Sequence, residues 1–257
     1  MFTDTHSHIH FTREFPDIEG ILDRTRLAQV NRQIIVGCTP ADSFEAVDFV
    51  KKHESFMMWS TLGVHPHNAD EWTLEIEKKF LQTVMENPGK IVALGEMGLD
   101  YFRNLKPVDL QKQAFEGQLK LALKLDLPVV VHIREAWEDA FKILAEVGNK
   151  KVILHCFTGT EDIARTAVDR GYHLSFSGVV TYPKNDYLRA IAAYIPLSNI
   201  LIETDCPYLT PQVFRGKRNE PAFVVETAKV IAQLRGIPIE EFAENTTRNA
   251  QVLLGIS

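Results

Sequence analysis

Two kinds of segment alternate along the chain, short apolar runs and longer amphipathic stretches. The apolar runs recur eight times, and several are continuous, which is typical of strands buried on both faces of a parallel sheet. The runs begin near Phe2, Gln33, Met58, Ile91, Pro128, Val152, His173 and Ile200. Their starts are about 21 to 37 residues apart, the length of one strand–helix–strand repeat.

Helical periodicity fills the intervals between the runs. The predicted helices are Ile18–Val30, Phe44–His53, Leu74–Glu86, Leu110–Leu125, Ala136–Val147, Asp162–Arg170, Ala222–Arg235 and Ile239–Leu254. For the fourth of these helices the predicted apolar face is formed by Leu110, Ala114, Leu119, Leu121, Leu123 and Leu125.

Eight strand–helix units predict an α/β protein with a single (β/α)8 TIM barrel over residues 1–257, because such barrels take about 250 residues. A doubly wound open sheet is the alternative. It is less favoured because the sequence has no GxGxxG or Walker-type loop.

Composition limits which binding partners and which cellular compartment the sequence allows. The 28 basic and 34 acidic residues give a net charge of −6, which excludes a generally basic coat for nucleic acid but permits a local basic patch. The three cysteines stand singly, as reduced thiols of a cytosolic protein do. The first residues resemble no signal peptide, and no apolar run approaches about 20 residues, so we expect a cytoplasmic protein without membrane contact.

Candidate chemistry lies at the predicted carboxyl ends of the strands, which meet at one mouth in a barrel. Seven of the nine histidines fall in or beside these ends, namely His6, His8, His10, His65, His67, His132 and His155. Two carboxylates, Glu96 and Asp205, follow apolar runs in the same way. A carboxylate there must be paired, protonated or bound to metal, because an isolated buried charge is too costly.

Six of these side chains predict a two-metal site. His6 and His8 are two residues apart on a strand, so both face the same side. The whole set is His6, His8, Glu96, His132, His155 and Asp205, more ligands than one tetrahedral ion uses. We expect Glu96 to bridge two divalent ions, with Zn, Mg, Mn, Ni or Fe as candidates, and Asp205 to accept the proton of an attacking water. Paired ions suit phosphoester hydrolysis.

The same strand ends carry motifs of a known family. The segments are TDTHSHIHF (3–11), LGVHPH (62–67), ALGEMGLDYF (93–102), VVVHIREA (129–136), ILHCFTG (153–159), IETDCPYLTP (202–211) and RGKRNEP (215–221). In this order they resemble the TatD-type metal-dependent deoxyribonucleases, a branch of the amidohydrolase-like barrels. The resemblance spans nearly the whole chain.

That resemblance implies a metal-dependent hydrolase that cleaves phosphodiesters, commonly DNA from an end. It places His6 and His8 with Glu96 and Asp205 at one ion, and Glu96, His132 and His155 at the second. It also implies that His65 contacts a substrate phosphate. The family usually has an acidic residue where this chain has His10, so His10 is either a further ligand or a change in metal preference.

Among the remaining charged residues, Arg134 and Arg218 lie in matched motifs and are expected to bind substrate phosphates. Glu203 shares the direction of Asp205 and is expected near the metals or as an extra ligand. The aromatic residues after the strand ends either stack on bases or pack at the barrel rim; these are Tyr101, Phe102, Phe157 and Tyr208.

Two other functions remain open at this point. One is an amidohydrolase-type enzyme that attacks a small amide or ester with the same metals, although the fourth run lacks the lysine that often bridges them. The other is a metal-binding scaffold without turnover. The substrate is expected to be DNA or another phosphodiester, and the default oligomeric state is a monomer.

Overall fold

Eight strands lie where the apolar runs predict them in the computed structural model, which describes residues 1–257. They are β1 Phe2–Ser7, β2 Val30–Ile35, β3 Met57–Leu62, β4 Ile91–Asp100, β5 Val129–Arg134, β6 Val152–Leu154, β7 His173–Phe176 and β8 Ile200–Ile202. The strands form one sheet in the order of the chain, and the described pairs are parallel.

The two ends of this sheet meet at the first strand. Ser7, the last residue of β1, forms a parallel bridge with Cys206, four residues after the end of β8. A parallel sheet of eight strands in chain order, with the last strand beside the first, is the arrangement of a (β/α)8 barrel. The predicted fold class is therefore confirmed.

One α-helix follows each of the first seven strands, and two follow β8, which makes nine. They are α1 Ile18–Leu27, α2 Pro40–Lys52, α3 Leu74–Glu86, α4 Val108–Leu125, α5 Trp137–Val147, α6 Glu161–Asp169, α7 Asp186–Tyr194, α8 Val224–Arg235 and α9 Ile239–Leu254. Thr39, Thr73 and Thr160 cap α2, α3 and α6 by accepting a hydrogen bond from a first-turn N–H. Helix α7 was not predicted. None of the nine has the length and apolar content needed to cross a membrane.

Several strand boundaries differ from the sequence prediction, and β8, for example, ends at Ile202, three residues before Asp205. β2 begins at Val30 rather than at Gln33, because α1 already ends at Leu27. β4 continues for four residues beyond Glu96, to Asp100. Glu96 therefore lies inside a strand and not at its end.

By backbone contacts the chain divides into two compact units. Unit 1 comprises Met1–Ile35, Ser55–Met58 and Cys156–Ser257, and unit 2 comprises Val36–Glu54 and Trp59–His155. Each has its own fully buried aromatic side chains, Phe157, Phe176 and Phe242 in unit 1 and Phe80 and Phe115 in unit 2. The single domain predicted over residues 1–257 stays a prediction.

Helix α4 of unit 2 buries a face that is less apolar than predicted. Ala114, Leu119 and Leu121 are buried as expected, together with Phe115. Leu123 was predicted on this face, but 52% of it is exposed, because it points away from the sheet side of the helix. Two glutamines take part in the buried face instead, Gln111 and Gln118.

Candidate metal centre

Glu96 of β4 is surrounded by three imidazoles within unit 2. Its Oε1 lies 3.0 Å from His132 Nδ1, 3.3 Å from His155 Nε2 and 3.4 Å from His65 Nε2. We call these four residues the Glu96 group. A carboxylate oxygen has lone pairs for about two donors, so three converging nitrogens exceed what it can accept. Histidine nitrogens around a carboxylate are the donor set that Zn²⁺, Mn²⁺, Fe²⁺ and Ni²⁺ take in proteins, and the group fits such an ion.

Glycines make this close packing possible. Gly95 has φ +137°, and a Cβ there would lie 2.4 Å from the carbonyl oxygen of Val130 on β5. Gly98 has φ +145°, and its Cβ would lie only 1.9 Å from the carbonyl oxygen of His132. Side chains at these two positions would push β4 away from β5, so the local sequence GEMG is required to bring Glu96 to His132.

His65 is a hydrogen-bond donor toward the carboxylate. Its Nδ1 accepts the backbone N–H of His67 at 3.1 Å, so in the neutral ring the proton sits on Nε2, which faces Glu96. Burial lowers the pKa of His65 to about 4, and the ring is therefore neutral at pH 7. An Nε2–H group suits contact with a phosphate oxygen better than ligation of a metal.

His132 is held between two carboxylates. Its Nδ1 faces Glu96, and its Nε2 lies 3.4 Å from Asp100 Oδ2, which also lies 2.7 Å from His67 Nε2. Burial lowers the pKa of His132, but its bonds to Asp100 and Glu96 outweigh burial and raise the pKa. A histidine ligand usually donates its other ring N–H to a carboxylate in this way, so Asp100 orients His132.

Glu96 is ionised although it is buried. Burial by itself raises the pKa of this carboxyl, but the imidazole of His155 and the hydrogen bond from His132 lower it well below its usual range. Cys38 contacts the other carboxylate oxygen, with Sγ 3.5 Å from Oε2. The anionic carboxylate is thus ready to bind a cation.

A second cluster lies in unit 1, and we call it the Asp205 group. Oδ1 of Asp205 lies 3.6 Å from His6 Nε2 and 3.5 Å from His8 Nε2. Backbone bonds set this placement, because Asp205 N–H donates to the His6 carbonyl at 2.8 Å and His8 N–H donates to the Cys206 carbonyl at 2.9 Å. Two imidazoles and a carboxylate again form a donor set for a divalent ion.

Asp4 ties the strand that carries His6 to the segment that carries Asp205. Its carboxyl accepts bonds from Thr204 Oγ1 at 2.6 Å and from Thr204 N–H at 2.9 Å. Burial raises the pKa of Asp4 to about 8, and the hydrogen bonds from Thr204 oppose that rise. Sequence patterning treats Asp4 only as part of β1, because its contacts come from the other end of the chain.

Two further polar residues hold this segment. The predicted extra ligand Glu203 is buried, and its Oε1 accepts the N–H of Cys156 at 2.7 Å. Asn219 of the RGKRNEP motif donates to the carbonyl oxygens of Thr204 and Tyr208 at 2.9 and 2.6 Å. Asn219 was not among the predicted site residues, although its place in a matched motif was a usable signal.

The predicted phosphate-binding residues lie in different surroundings. Arg134 is exposed, and its guanidinium lies over the ring of Phe102, 3.9 Å from the centroid. Arg218 is half exposed and lies 3.6 Å from a carboxylate oxygen of Glu14.

His10 is buried, and its ring lies 6.2 Å from that of His8.

An eight-stranded barrel with histidine and carboxylate donor sets on its strands and strand ends defines the class of metal-dependent hydrolases. Residues 3–255 match the family model described as TatD related DNase. The chain belongs to this family.

Individual relatives agree with this assignment. An uncharacterized metal-dependent hydrolase, YabD of Bacillus subtilis (strain 168), is 38% identical over the full length of both chains. The 3'-5' ssDNA/RNA exonuclease TatD of Erwinia amylovora is 36% identical over 93% of this chain and 94% of its own. Among solved structures, YjjV, a TatD homologue of Escherichia coli K12, has a TM-score of 0.92 at 30% identity and covers 100% of this chain and 98% of its own.

Proposed function

We propose that this hydrolase is a TatD-type deoxyribonuclease that removes nucleotides from a DNA end with two divalent ions. The observation that carries the proposal is the Glu96 group, in which three imidazole nitrogens lie within 3.4 Å of one anionic oxygen. The relative from Erwinia amylovora, named as a 3'-5' ssDNA/RNA exonuclease, supports nucleic acid as the substrate.

Six residues would hold the ions. His6, His8 and Asp205 would bind the first ion, and His132 and His155 the second, with Glu96 shared by both. The donor chemistry of each group favours Zn²⁺, Mn²⁺, Fe²⁺ or Ni²⁺, with Mg²⁺ as a further candidate. When bound, such ions make a water nucleophilic near neutral pH and stabilise the oxygens of the phosphodiester.

The residues of the chain would then position the substrate and move its protons. Asp205 would accept the proton of the attacking water, since its carboxylate is partly exposed beside the imidazoles of His6 and His8. His65 would donate its Nε2–H to a phosphate oxygen. Arg134 and Arg218 would neutralise neighbouring phosphates on a chain whose net charge is −6.

Metal analysis and cleavage assays test the proposal together. We expect about two equivalents of divalent metal per chain by mass spectrometry, and His155→Ala should lower that content. A labelled single-stranded oligonucleotide should shorten from one end when metal is present and stay intact with EDTA. Asp205→Asn should keep the fold and reduce turnover by about 10²–10⁴-fold, the usual contribution of a positioned acid or base.

Two results would overturn parts of the proposal. Unchanged metal content in His155→Ala would remove His155 from the ligand set. A wild-type protein that holds metal but cleaves no oligonucleotide with any added ion would refute the deoxyribonuclease, and a small amide or ester would then be the substrate class to test.

A further inference from the structure

An exposed aromatic side chain, Phe102, follows the end of β4. Phe102 is 56% exposed and follows Asp100, the residue that orients His132, by two positions. Its ring is covered on one side by the guanidinium of Arg134, which lies 3.9 Å from the centroid. A single exposed phenylalanine is common on protein surfaces. Phe102 differs because an exposed cation lies over its ring next to a charged site, and this pairing indicates a role in ligand binding.

The turn that carries Phe102 is fixed by hydrogen bonds. The Asp100 carboxylate accepts the N–H of Arg103 at 2.8 Å, and Tyr101 N–H donates to the carbonyl oxygen of Arg134 at 2.9 Å. The Tyr101 hydroxyl donates to Asp139 at 2.7 Å. Because both neighbours of Phe102 are held, the ring would be presented to a ligand in an ordered position, which lowers the entropy lost on binding.

The charge of Arg134 is also available. The structure contains no ion pair between Arg134 and a carboxylate, whereas Arg218 lies beside Glu14. A cation next to an exposed ring offers a phosphate contact and a stacking surface at neighbouring points. That combination matches one nucleotide unit of a single strand, in which each base has an open face and each linkage a negative charge.

We infer that Phe102 is a stacking residue for a base of the nucleic-acid substrate, and that Arg134 binds the phosphate beside that base. The inference rests on the proposed nuclease function and adds to it the residue that recognises the base. Stacking on Phe102 should accept any of the four bases, since every base has a flat apolar face.

Kinetics on two matched substrates test the inference. One is a single-stranded oligonucleotide of about ten nucleotides, and the other has the same length and charge but abasic tetrahydrofuran residues. Phe102→Ala should raise KM about 10-fold for the first substrate and leave kcat and the abasic substrate unchanged within about twofold, as the loss of one stack predicts. Phe102→Trp should restore the KM. Arg134→Gln should raise KM for both substrates.

A binding measurement makes the test independent of cleavage. Oligonucleotides with 2-aminopurine at either terminal position are titrated onto Asp205→Asn protein, and stacking of the terminal base should quench the fluorescence. Phe102→Ala in that background should abolish the quenching. Tyr194→Ala is the matched control, because Tyr194 is 41% exposed and lies under Arg165 on helices α6 and α7.

The outcomes separate the two proposals. Quenching that depends on Phe102, together with wild-type protein that cleaves no oligonucleotide with any added metal, would support the base site and refute the nuclease. Cleavage with an unchanged KM in Phe102→Ala, or an equal loss on both substrates, would overturn the base site and leave the nuclease standing. A wild-type protein that neither binds nor cleaves the oligonucleotide would overturn both.

Discussion

Gln118 connects the buried face of α4 to the loop that carries His65. Its Oε1 accepts the N–H of Val64 at 2.7 Å, and its Nε2 donates to the Val64 carbonyl at 3.0 Å and to the Ala114 carbonyl at 3.1 Å. Val64 is buried, so both of its backbone polar groups depend on this one side chain. We therefore predict that Gln118→Leu, a change of similar size, destabilises the protein.

The magnitude follows from the groups left without a partner. Each buried N–H or C=O that loses its hydrogen bond costs about 1–3 kcal/mol, which gives about 2–6 kcal/mol for the pair. Leucine recovers about 1–2 kcal/mol through apolar burial. The expected loss in the free energy of unfolding is therefore about 2.5 kcal/mol at the centres of these two ranges.

Urea unfolding followed by circular dichroism, in EDTA so that bound metal does not contribute, measures this loss. The first transition is compared between variants, because a chain of this size can unfold through intermediates. Gln82→Leu is the control, since Gln82 is exposed on α3 and bonds only to Glu86. A midpoint shift in Gln118→Leu no larger than that of the control, at unchanged slope, would refute the reasoning.

Two other predictions concern the residues around the Glu96 group and the Asp205 group. Burial raises the pKa of Asp4 to about 8 from an ordinary 3.8, so the native state keeps a proton that the unfolded chain has lost, and the contribution of Asp4 to the free energy of unfolding should fall as pH rises from 4 to 8. Asp4→Asn should flatten that slope in urea unfolding at pH 5 and 8, and parallel curves for both proteins would contradict the assignment. Gly98→Ala should cost about 3 kcal/mol or more and reduce bound metal, because its Cβ would lie 1.9 Å from the His132 carbonyl oxygen. Gly148→Ala also has positive φ but open space around it, so it should cost about 1 kcal/mol and keep its metal; equal effects of the two changes would show that contact with β5 is unimportant.

The strands, and the places of the candidate ligands on or after them, were predictable because two simple rules act together. A short apolar run such as PVVV must be buried. In a repeated strand–helix pattern, the conformation that buries it is a parallel strand inside the sheet. A polar residue directly after such a run, as His132 is, lies near the carboxyl edge of the sheet. Residues that obey both rules can be found without any knowledge of their neighbours.

The path of β4 could not be predicted in this way. Its sequence IVALGEMGLD contains two glycines, which usually weaken or end a strand, so the prediction stopped at Glu96. The structure keeps the strand going because β5 approaches so closely at Val130 and His132 that only glycine fits opposite. Glycine is needed only because β4 and β5 pair, so the sequence of either strand alone does not reveal the need.

Buried polar residues were missed for a related reason. The predicted apolar face of α4 contained Leu123 and not Gln118, whereas in the structure Leu123 is exposed and Gln118 is buried. Gln118 is buried because the loop after β3 has backbone groups to satisfy, and Asp4 is buried because Thr204 supplies donors from the other end of the chain. Burial of such a side chain depends on its partner, which periodicity does not identify.

The charges of Arg134 and Arg218 show most clearly what the structure adds to the sequence. Arg134 and Arg218 are equivalent in the sequence, since each is a cation in a matched motif. In the structure Arg218 faces Glu14, so a phosphate at Arg218 must compete with a carboxylate for the guanidinium. Arg134 faces an aromatic ring, which holds the guanidinium in place without neutralising it. Of the two, Arg134 therefore has more of its electrostatic attraction left for a substrate.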